Sequence, residues 1–246
     1  VILNYNGYEL TIESTNNFRK VSSELNIIIV DNCSKNDSLE KLKGAFSDDK
    51  NTHIIANDKN TGYASGNNVG LRYISDNLKE IKDYSFSGCD KLQDINIPNA
   101  VTNIGKGAFS KCSSLKKVSI SNPIEIKDNT FYQCSNLEEV QLLGGALGIG
   151  DNAFYSCIKL SDITILDVSE EYDGKYSIGA NSFSKCQSLT EITIPKNFTR
   201  IGSGAFSDCS NLEKVNILGS MEFIGAGAFY GTKISSGFVE KHIRDK

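Results

Sequence analysis

The sequence predicts an α/β protein in two parts. A three-stranded parallel α/β half-domain is expected over residues 1–78, and a repeat solenoid with one parallel strand per repeat over residues 79–232. Two observations predict this fold: phenylalanine recurs about every 23 residues from Phe86 onwards, and the first 78 residues instead alternate between short apolar and helix-like stretches. A period of about 20 to 50 residues is typical of stacked repeats. Residues 233–246 are expected to form a tail or an incomplete cap.

Composition and charge exclude several classes of protein. Hydrophobic residues make up 39% of the 246 and charged residues 23%, which is typical of a folded chain rather than a disordered one. The net charge of −4 is shared equally by the two parts, so there is no basic stripe to bind nucleic acid. No apolar run reaches the roughly 18 residues that a membrane span requires.

The chain starts with Val1 rather than Met, and its first three residues already have the apolar character of a strand interior. We therefore expect natural residues to precede them, so the lack of a visible secretory signal says little about location. We expect a cytoplasmic protein, with the cell surface as the alternative.

Four residue types define the repeat. Phenylalanine stands at Phe86, Phe109, Phe131, Phe154, Phe183, Phe206 and Phe229. Five residues before each one is an isoleucine: Ile81, Ile104, Ile126, Ile149, Ile178, Ile201 and Ile224. Three residues after the first six is a cysteine: Cys89, Cys112, Cys134, Cys157, Cys186 and Cys209. Three residues further on is a leucine: Leu92, Leu115, Leu137, Leu160, Leu189 and Leu212.

Each of these leucines is followed by a stretch of alternating polar and apolar residues, such as 94–97 or 191–194. A period of two indicates a half-buried strand. Successive strands then run in the same direction, about 4.8 Å apart. The intervening Ile-Gly-x-x-Ala-Phe-x-x-Cys stretch returns the chain across the back, and we expect its phenylalanines to stack from one turn, or rung, to the next.

The cysteines follow the period of the repeat. A free cysteine behaves as a small apolar residue, so one per rung is expected to fill a constant slot in the stack. Disulfides between neighbouring rungs are the alternative. No Cys-x-x-Cys pair occurs in the sequence, so a zinc site is not predicted.

The exposed strand positions are the candidate surface for a protein or glycan partner. The first exposed position of each strand is charged, and we call this set the strand face: Asp94, Lys117, Glu139, Asp162, Glu191 and Lys214. Neither these nor the second exposed positions include an aromatic residue or an arginine, the usual hot-spot residues. The alternative role is structural, because opposite charges on neighbouring strands fix the register.

One repeat is longer than the others. Six extra residues separate Ile165 from Ile178, in a stretch rich in acid and tyrosine: Glu170, Glu171, Tyr172, Asp173 and Tyr176. This loop is a localised candidate for a contact site, and an insertion without a binding role is the alternative.

The repeat resembles the BspA-like class of leucine-rich repeats, whose units read Leu-x-x-Ile-x-Ile-Pro-x-x-Val-x-x-Ile-Gly-x-x-Ala-Phe-x-x-Cys. The stretch from Leu92 to Cys112 matches that pattern almost throughout, including Ile97-Pro98 and Ile104-Gly105. The resemblance implies a leucine-rich-repeat solenoid that presents a surface to a partner.

The first 78 residues predict the order β-α-β-α-β-α. We expect strands at 1–3, 26–32 and 52–56, helices over 9–21 and 38–46 with Asp37 as a cap, and a loop followed by a helix over 62–76. This order implies a parallel sheet covered by helices. Ligands of such sheets bind beyond the carboxyl ends of the strands.

Three stretches of this part resemble family-2 glycosyltransferases, especially the rhamnosyltransferase-like branch. They are Val-Ile-Leu-Asn-Tyr-Asn-Gly at 1–7, Ile-Val-Asp-Asn-Cys-Ser at 29–34 and Asn-Thr-Gly-Tyr-Ala-Ser-Gly-Asn-Asn-Val-Gly at 60–70. The resemblance implies a UDP- or dTDP-sugar site with these contacts: Asn4, Tyr5, Asn6, Asp31, Asn32, Asn60, Gly62 and Asn67. For Asp31 the alternative is an acid that caps the turn after a strand.

The sequence departs from that family where its metal motif is expected. No Asp-x-Asp follows Asp76, and Asp48-Asp49, the acidic pair of this part, precedes the third strand instead. No catalytic residue or metal ligand is therefore predicted, and Mn²⁺ or Mg²⁺ is expected only where such a motif is present. We expect an interaction module with an incomplete, inactive nucleotide-sugar segment; the alternative is an active transferase that uses the repeats to bind its acceptor.

Overall fold

The computed structural model describes residues 2–24, 26–60, 77–172, 174–235 and 237–238. The chain divides into two compact units, Val1–Asn77 and Leu78–Lys246. We call them the front unit and the solenoid.

The described part of the front unit is a three-stranded parallel sheet with two helices. In chain order the elements are β1 (Ile2–Asn4), α1 (Tyr8–Val21), β2 (Ile27–Asp31), α2 (Ser38–Ala45) and β3 (Thr52–Ala56). The strand order is β1-β2-β3, and every residue of the central strand is buried. Its small apolar core is Ile27, Ile29, Leu42 and Phe46. The helical segment expected over 62–76 lies outside the described residues.

Charges at the helix ends suit the helix dipole, with Glu9 in the first turn of α1 and Arg19 in its last. The expectation that Asp37 caps α2 is only half right. Asp37 occupies the N-cap position, but its side chain makes no cap hydrogen bond. It pairs instead with Lys41 one turn later, at 3.2 Å.

The solenoid has parallel strands about 23 residues apart, but the prediction of one strand per repeat is wrong. Within the described residues one set forms the strand face: β5 (Asp94–Ile97), β7 (Lys117–Ile120), β9 (Glu139–Leu142), β11 (Asp162–Ile165), β13 (Glu191–Ile194) and β15 (Lys214–Ile217). A second set contains the isoleucines: β4 (Glu80–Ile81), β6 (Asn103–Ile104), β8 (Ile124–Ile126), β10 (Ala146–Ile149), β12 (Tyr176–Ile178), β14 (Phe198–Ile201) and β16 (Phe223–Ile224). Three strands of this second set, β4, β6 and β16, have only two residues, too few to show alternation.

Phenylalanines fill the interior, as predicted. From Phe86 to Phe229 each ring stacks on the next, with centroids 5.1 to 5.5 Å apart and planes within 14° of parallel. The five inner rings have no exposed surface, whereas Phe86 at the first rung is 38% exposed. Each inner ring therefore gains apolar burial from both neighbouring rungs.

Cysteines form a second internal row, in which Cys89 is exposed and the other five are buried and free. Each buried thiol donates to the carbonyl oxygen of the phenylalanine on the preceding rung, at 3.0 to 3.3 Å. Burial raises the pKa of the Cys157 thiol to about 12. The row thus combines the expected apolar packing with a hydrogen bond that the sequence pattern did not reveal.

Candidate functional site

The strand face is built by strand register. Asp94, Lys117, Glu139 and Asp162 are consecutive partners in one sheet, and Glu191 pairs with Lys214 in another. Residues that alternate with them, such as Val118, Val140 and Ile192, are buried. All six predicted residues therefore point away from the core, in one row interrupted between β11 and β13.

Four of the six charges neutralise each other across neighbouring strands. Lys117 pairs with Glu139 at 2.7 Å, and Lys214 with Glu191 at 3.0 Å. Both pairs join opposite charges on neighbouring strands, as expected if the charges of the strand face fix the register of the sheet. Asp94 and Asp162 are exposed and make no ion pair within the part of the chain that the structure describes. Two uncompensated acids therefore flank the Lys117–Glu139 pair.

The long repeat interrupts the strand face. The hydrogen-bonded sheet ends at β11, and β13 begins a separate two-stranded sheet with β15. Between them an inserted loop, residues 166–175, leads to β12. Val168 of this loop is 7% exposed, and the Asp167 carboxylate accepts a hydrogen bond from the Lys196 amide at 3.1 Å.

The far end of the inserted loop is also anchored. Asn197 Nδ2 donates to the Tyr172 carbonyl oxygen at 3.1 Å, and the Tyr176 ring meets Phe198 edge to face at 5.9 Å. Lys175 forms an ion pair with Glu222. Of the five residues singled out in the long repeat, Tyr176 is the first residue of β12, and Asp173 lies outside the described residues.

In the front unit, the carboxyl ends of β1 and β2 carry a buried polar cluster. Asn4 Nδ2 donates to Asp31 Oδ1 at 2.6 Å, and the Ser34 hydroxyl donates to the same oxygen at 2.6 Å. The Ser34 amide donates to Asp31 Oδ2 at 3.1 Å, and the Thr11 hydroxyl donates to Asn4 Oδ1 at 3.1 Å. Asp31 is only 2% exposed. Its hydrogen bonds from the amide and the hydroxyl of Ser34 are those expected of the alternative role, an acid that caps the turn after a strand.

The other predicted nucleotide contacts are partly gathered at the same edge. Asn32 receives a hydrogen bond from Asn57 at 2.8 Å and donates one to Asn60 at 3.1 Å. Asn6 has a positive φ of 54°, and its Oδ1 accepts from the Lys35 amide at 2.8 Å. Tyr5 is 48% exposed beside them. Gly62 and Asn67 lie outside the described residues.

Sequence reasoning missed three members of this edge: Thr11, Ser34 and Asn57. Ser34 is the last residue of the quoted Ile-Val-Asp-Asn-Cys-Ser stretch, and Asn57 directly follows β3, so position after a strand was the available signal. Thr11 lies inside α1, where nothing in the sequence distinguishes it from a surface threonine.

Two of the described acids of the front unit, Asp49 and Asp31, are already engaged by groups of the protein. The Asp49 carboxylate accepts hydrogen bonds from Arg19 Nε at 2.7 Å and from the Thr52 hydroxyl at 2.6 Å. These bonds lower the pKa of the Asp49 carboxyl to about 2. Asp48 is exposed, and Asp31 is enclosed by Asn4 and Ser34. Over the described ranges no three His, Cys, Asp or Glu side chains are grouped so that they could hold a metal.

Family comparison agrees with the repeat geometry. The model of the BspA type leucine rich repeat region matches six copies, over residues 63–176 and 176–245. The chain belongs to this family. A second model, glycosyl transferase family 2, matches residues 1–78 of this BspA type repeat protein. No curated protein matches the chain.

Solved leucine-rich-repeat proteins have the same fold. One from Bacteroides ovatus ATCC 8483 is 27% identical with a TM-score of 0.54, and the match covers 83% of this chain and 44% of that one. The T. pallidum leucine rich repeat protein is 24% identical with a TM-score of 0.57, covering 66% of this chain and 74% of that one. The chain thus spans less than half of the Bacteroides ovatus protein. In the described residues no helix is long and apolar enough to cross a membrane.

Proposed function

We propose that this BspA type repeat protein is an interaction module whose strand face binds a protein or a glycan. The observation that carries the proposal is the two exposed acids, Asp94 and Asp162, which make no ion pair among the described residues. Stacked rungs hold these side chains at fixed spacing, so little conformational entropy is lost when a partner binds. Uncompensated acids favour a protein with basic groups over a neutral glycan.

Neutralising the two acids tests this proposal. The full chain is screened on arrays of basic, acidic and neutral peptides and of glycans, beside the double variant Asp94→Asn/Asp162→Asn. We expect basic peptides to bind and the double variant to bind them about tenfold more weakly. Glu125→Gln is the matched control, since Glu125 is an exposed acid on β8, in the other set of strands. Equal loss in the control, or no loss in the double variant, would contradict the proposal.

A second candidate function is nucleotide binding at the carboxyl ends of β1 and β2. The support is the match of residues 1–78 to the glycosyl transferase family 2 model, together with the polar cluster at that edge. We propose that a UDP- or dTDP-sugar contacts the exposed Tyr5 and the Asn6 turn. Asp31 would then act mainly as a positioning residue, because it holds Asn4 and Ser34.

Transfer of the sugar needs more than binding. A transferase neutralises the leaving diphosphate and activates the acceptor, and the described residues of the front unit contain no group of three His, Cys, Asp or Glu side chains that could hold a cation. We therefore propose that this chain alone binds without transfer. The alternative is an active transferase in which the repeats hold the acceptor. A cytoplasmic location, with the cell surface as the alternative, also stays a prediction.

Calorimetric titration with UDP and dTDP, with and without manganese, separates these alternatives. We expect binding that manganese leaves unchanged, a loss of about tenfold or more in Asp31→Asn, and no loss in the exposed control Asp48→Asn. A thermal melt of each variant separates lost binding from lost folding. Turnover of a sugar nucleotide that Asp31→Ala abolishes would defeat the non-catalytic proposal.

A further inference from the structure

The inserted loop forms one wall of an open groove of about 350 Å³. Its lining comes from the connection between β11 and β12, from the turn after β13 and from β14, and therefore lies beyond the ends of the strand face: Val168, Ser169, Glu170, Tyr172, Gly174, Lys175, Lys196, Asn197 and Thr199. A volume of this size suits a small ligand.

The groove is held in shape before any ligand arrives. Val168 is buried, Asp167 accepts from the Lys196 amide, and Asn197 donates to the Tyr172 carbonyl oxygen. The Tyr176 amide also donates to the Asn197 carbonyl oxygen at 2.9 Å, which ties the two walls together. A site fixed in this way loses little entropy on binding.

Several polar groups of the groove are left for a ligand. Glu170 and Lys196 are exposed, and neither side chain has a hydrogen bond or ion pair within the part of the chain that the structure describes. Asn197 uses its amide nitrogen on Tyr172, which leaves its Oδ1 as an acceptor. The half-buried Tyr172 adds a phenol and a ring. Donors, acceptors and an aromatic group therefore lie at one place.

Charge and shape narrow the class of ligand. The ammonium group of Lys175 is neutralised by Glu222 in an ion pair. Lys196 and Glu170 make no ion pair with each other, but they add one charge of each sign to the lining, so the groove offers no excess positive charge to a phosphate. Val168, the one large aliphatic side chain of the lining, is buried, so the groove offers no second large aliphatic side chain to a peptide anchor. A sugar hydroxyl both donates and accepts hydrogen bonds, and the apolar face of a sugar ring packs on an aromatic ring.

We propose that this groove binds a short neutral oligosaccharide. Glu170 and the Asn197 amide oxygen accept from its hydroxyl groups, Lys196 donates to them, and Tyr172 packs against a ring. The site is separate from the strand face, so the inference does not depend on what the strand face binds.

Saturation-transfer NMR on the full chain tests the proposal with trisaccharides of glucose, mannose and N-acetylglucosamine as probes. We expect at least one probe to bind and Tyr172→Ala to weaken it about tenfold. Glu170→Gln, which keeps the shape of the side chain and removes its charge, should weaken the same probe by a smaller factor. Tyr230→Ala is the matched control, since Tyr230 is a 73% exposed tyrosine outside the groove.

The strand-face variant Asp94→Asn/Asp162→Asn separates this inference from the proposed function. We expect it to bind the sugar normally. Loss of sugar binding in that variant but not in Tyr172→Ala would place the sugar on the strand face and overturn the inference alone. Failure of all three trisaccharides to bind, or binding that Tyr172→Ala and Glu170→Gln leave unchanged, would also overturn it.

Discussion

The two units of the chain differ in what they bury. In the described part of the front unit, the buried polar residues include the amides Asn4 and Asn32 and the carboxylate Asp31. The others carry hydroxyl groups: Thr11, Thr15, Ser38 and Thr52. In the described part of the solenoid the buried polar residues are hydroxyl-bearing: Ser110, Thr130, Ser182 and Ser184. Buried amides and carboxylates cost free energy unless every group is hydrogen-bonded.

This difference separates two ways of building a site. The solenoid has an apolar interior, so the side chains it presents to a partner are those that rung spacing places on its outside. The front unit places polar side chains at the carboxyl ends of its strands, where Asp31 joins Asn4 to the following turn. A polar cluster of this kind fixes the conformation of the residues around it, so its loss should lower the stability of that part of the front unit.

The largest effect is expected from shortening an inner ring of the phenylalanine stack. Phe154→Ala removes a fully buried ring that stacks on Phe131 and Phe183, and should lower the free energy of unfolding by about 3–5 kcal/mol. Urea denaturation followed by circular dichroism measures the loss. Phe86→Ala is the matched control; Phe86 is partly exposed and should cost clearly less. Equal losses would mean that the inner rungs are no better packed than the first.

A smaller effect is expected from breaking the polar cluster of the front unit. Asn4→Ala removes a donor to Asp31 and the acceptor of Thr11, and should cost about 1–3 kcal/mol by leaving buried groups unpaired. Hydrogen exchange at the amides of β2 should become faster. Asn16→Ala changes an exposed asparagine of α1 and should leave that exchange as it is. Unchanged exchange in Asn4→Ala would show that the cluster contributes nothing to local stability.

The smallest effect is expected at low pH, where the stabilisation by the ion pair between Arg19 and Asp49 is lost. Because Arg19 lowers the pKa of the Asp49 carboxyl from 3.8 to about 2, the unfolded chain binds this proton more readily than the folded one. The stabilisation is therefore complete above about pH 4 and is lost as the pH falls towards 2. Asp49→Asn should flatten the pH dependence of front-unit exchange in this window, whereas the exposed Asp48→Asn should not. If Asp49→Asn left the pH dependence of exchange in the front unit unchanged, the ion pair with Arg19 would not stabilise the folded state.

The sequence predicted the solenoid well because one rung repeats the same side chains at the same depth. Phe109 and Cys112 are buried where their period places them, and Lys117 faces outwards as strand alternation requires. The second set of strands was missed because segments such as Glu80–Ile81 are too short to show a period. Their pairing comes from the neighbouring rung, which a local pattern does not contain.

The candidate sites were less predictable, since they depend on which side chains meet. Sequence alone placed Lys117 between two acids on neighbouring strands, but it did not show that Lys117 pairs with Glu139 rather than with Asp94. It singled out Tyr172 by composition, but Lys196 and Asn197 join it through contacts between rungs. Thr11 likewise reaches Asn4 only because α1 packs on β1.

The most direct test of the account is a thiol count, because the central claim is that the rungs close into a tight stack. In the native protein without reductant, Cys33 and Cys89 should react quickly with a thiol reagent, and the five buried thiols slowly, because the reagent does not reach them. After denaturation all seven cysteines should react. Seven fast thiols in the native protein, or fewer than seven after denaturation, would contradict the stack of buried free cysteines.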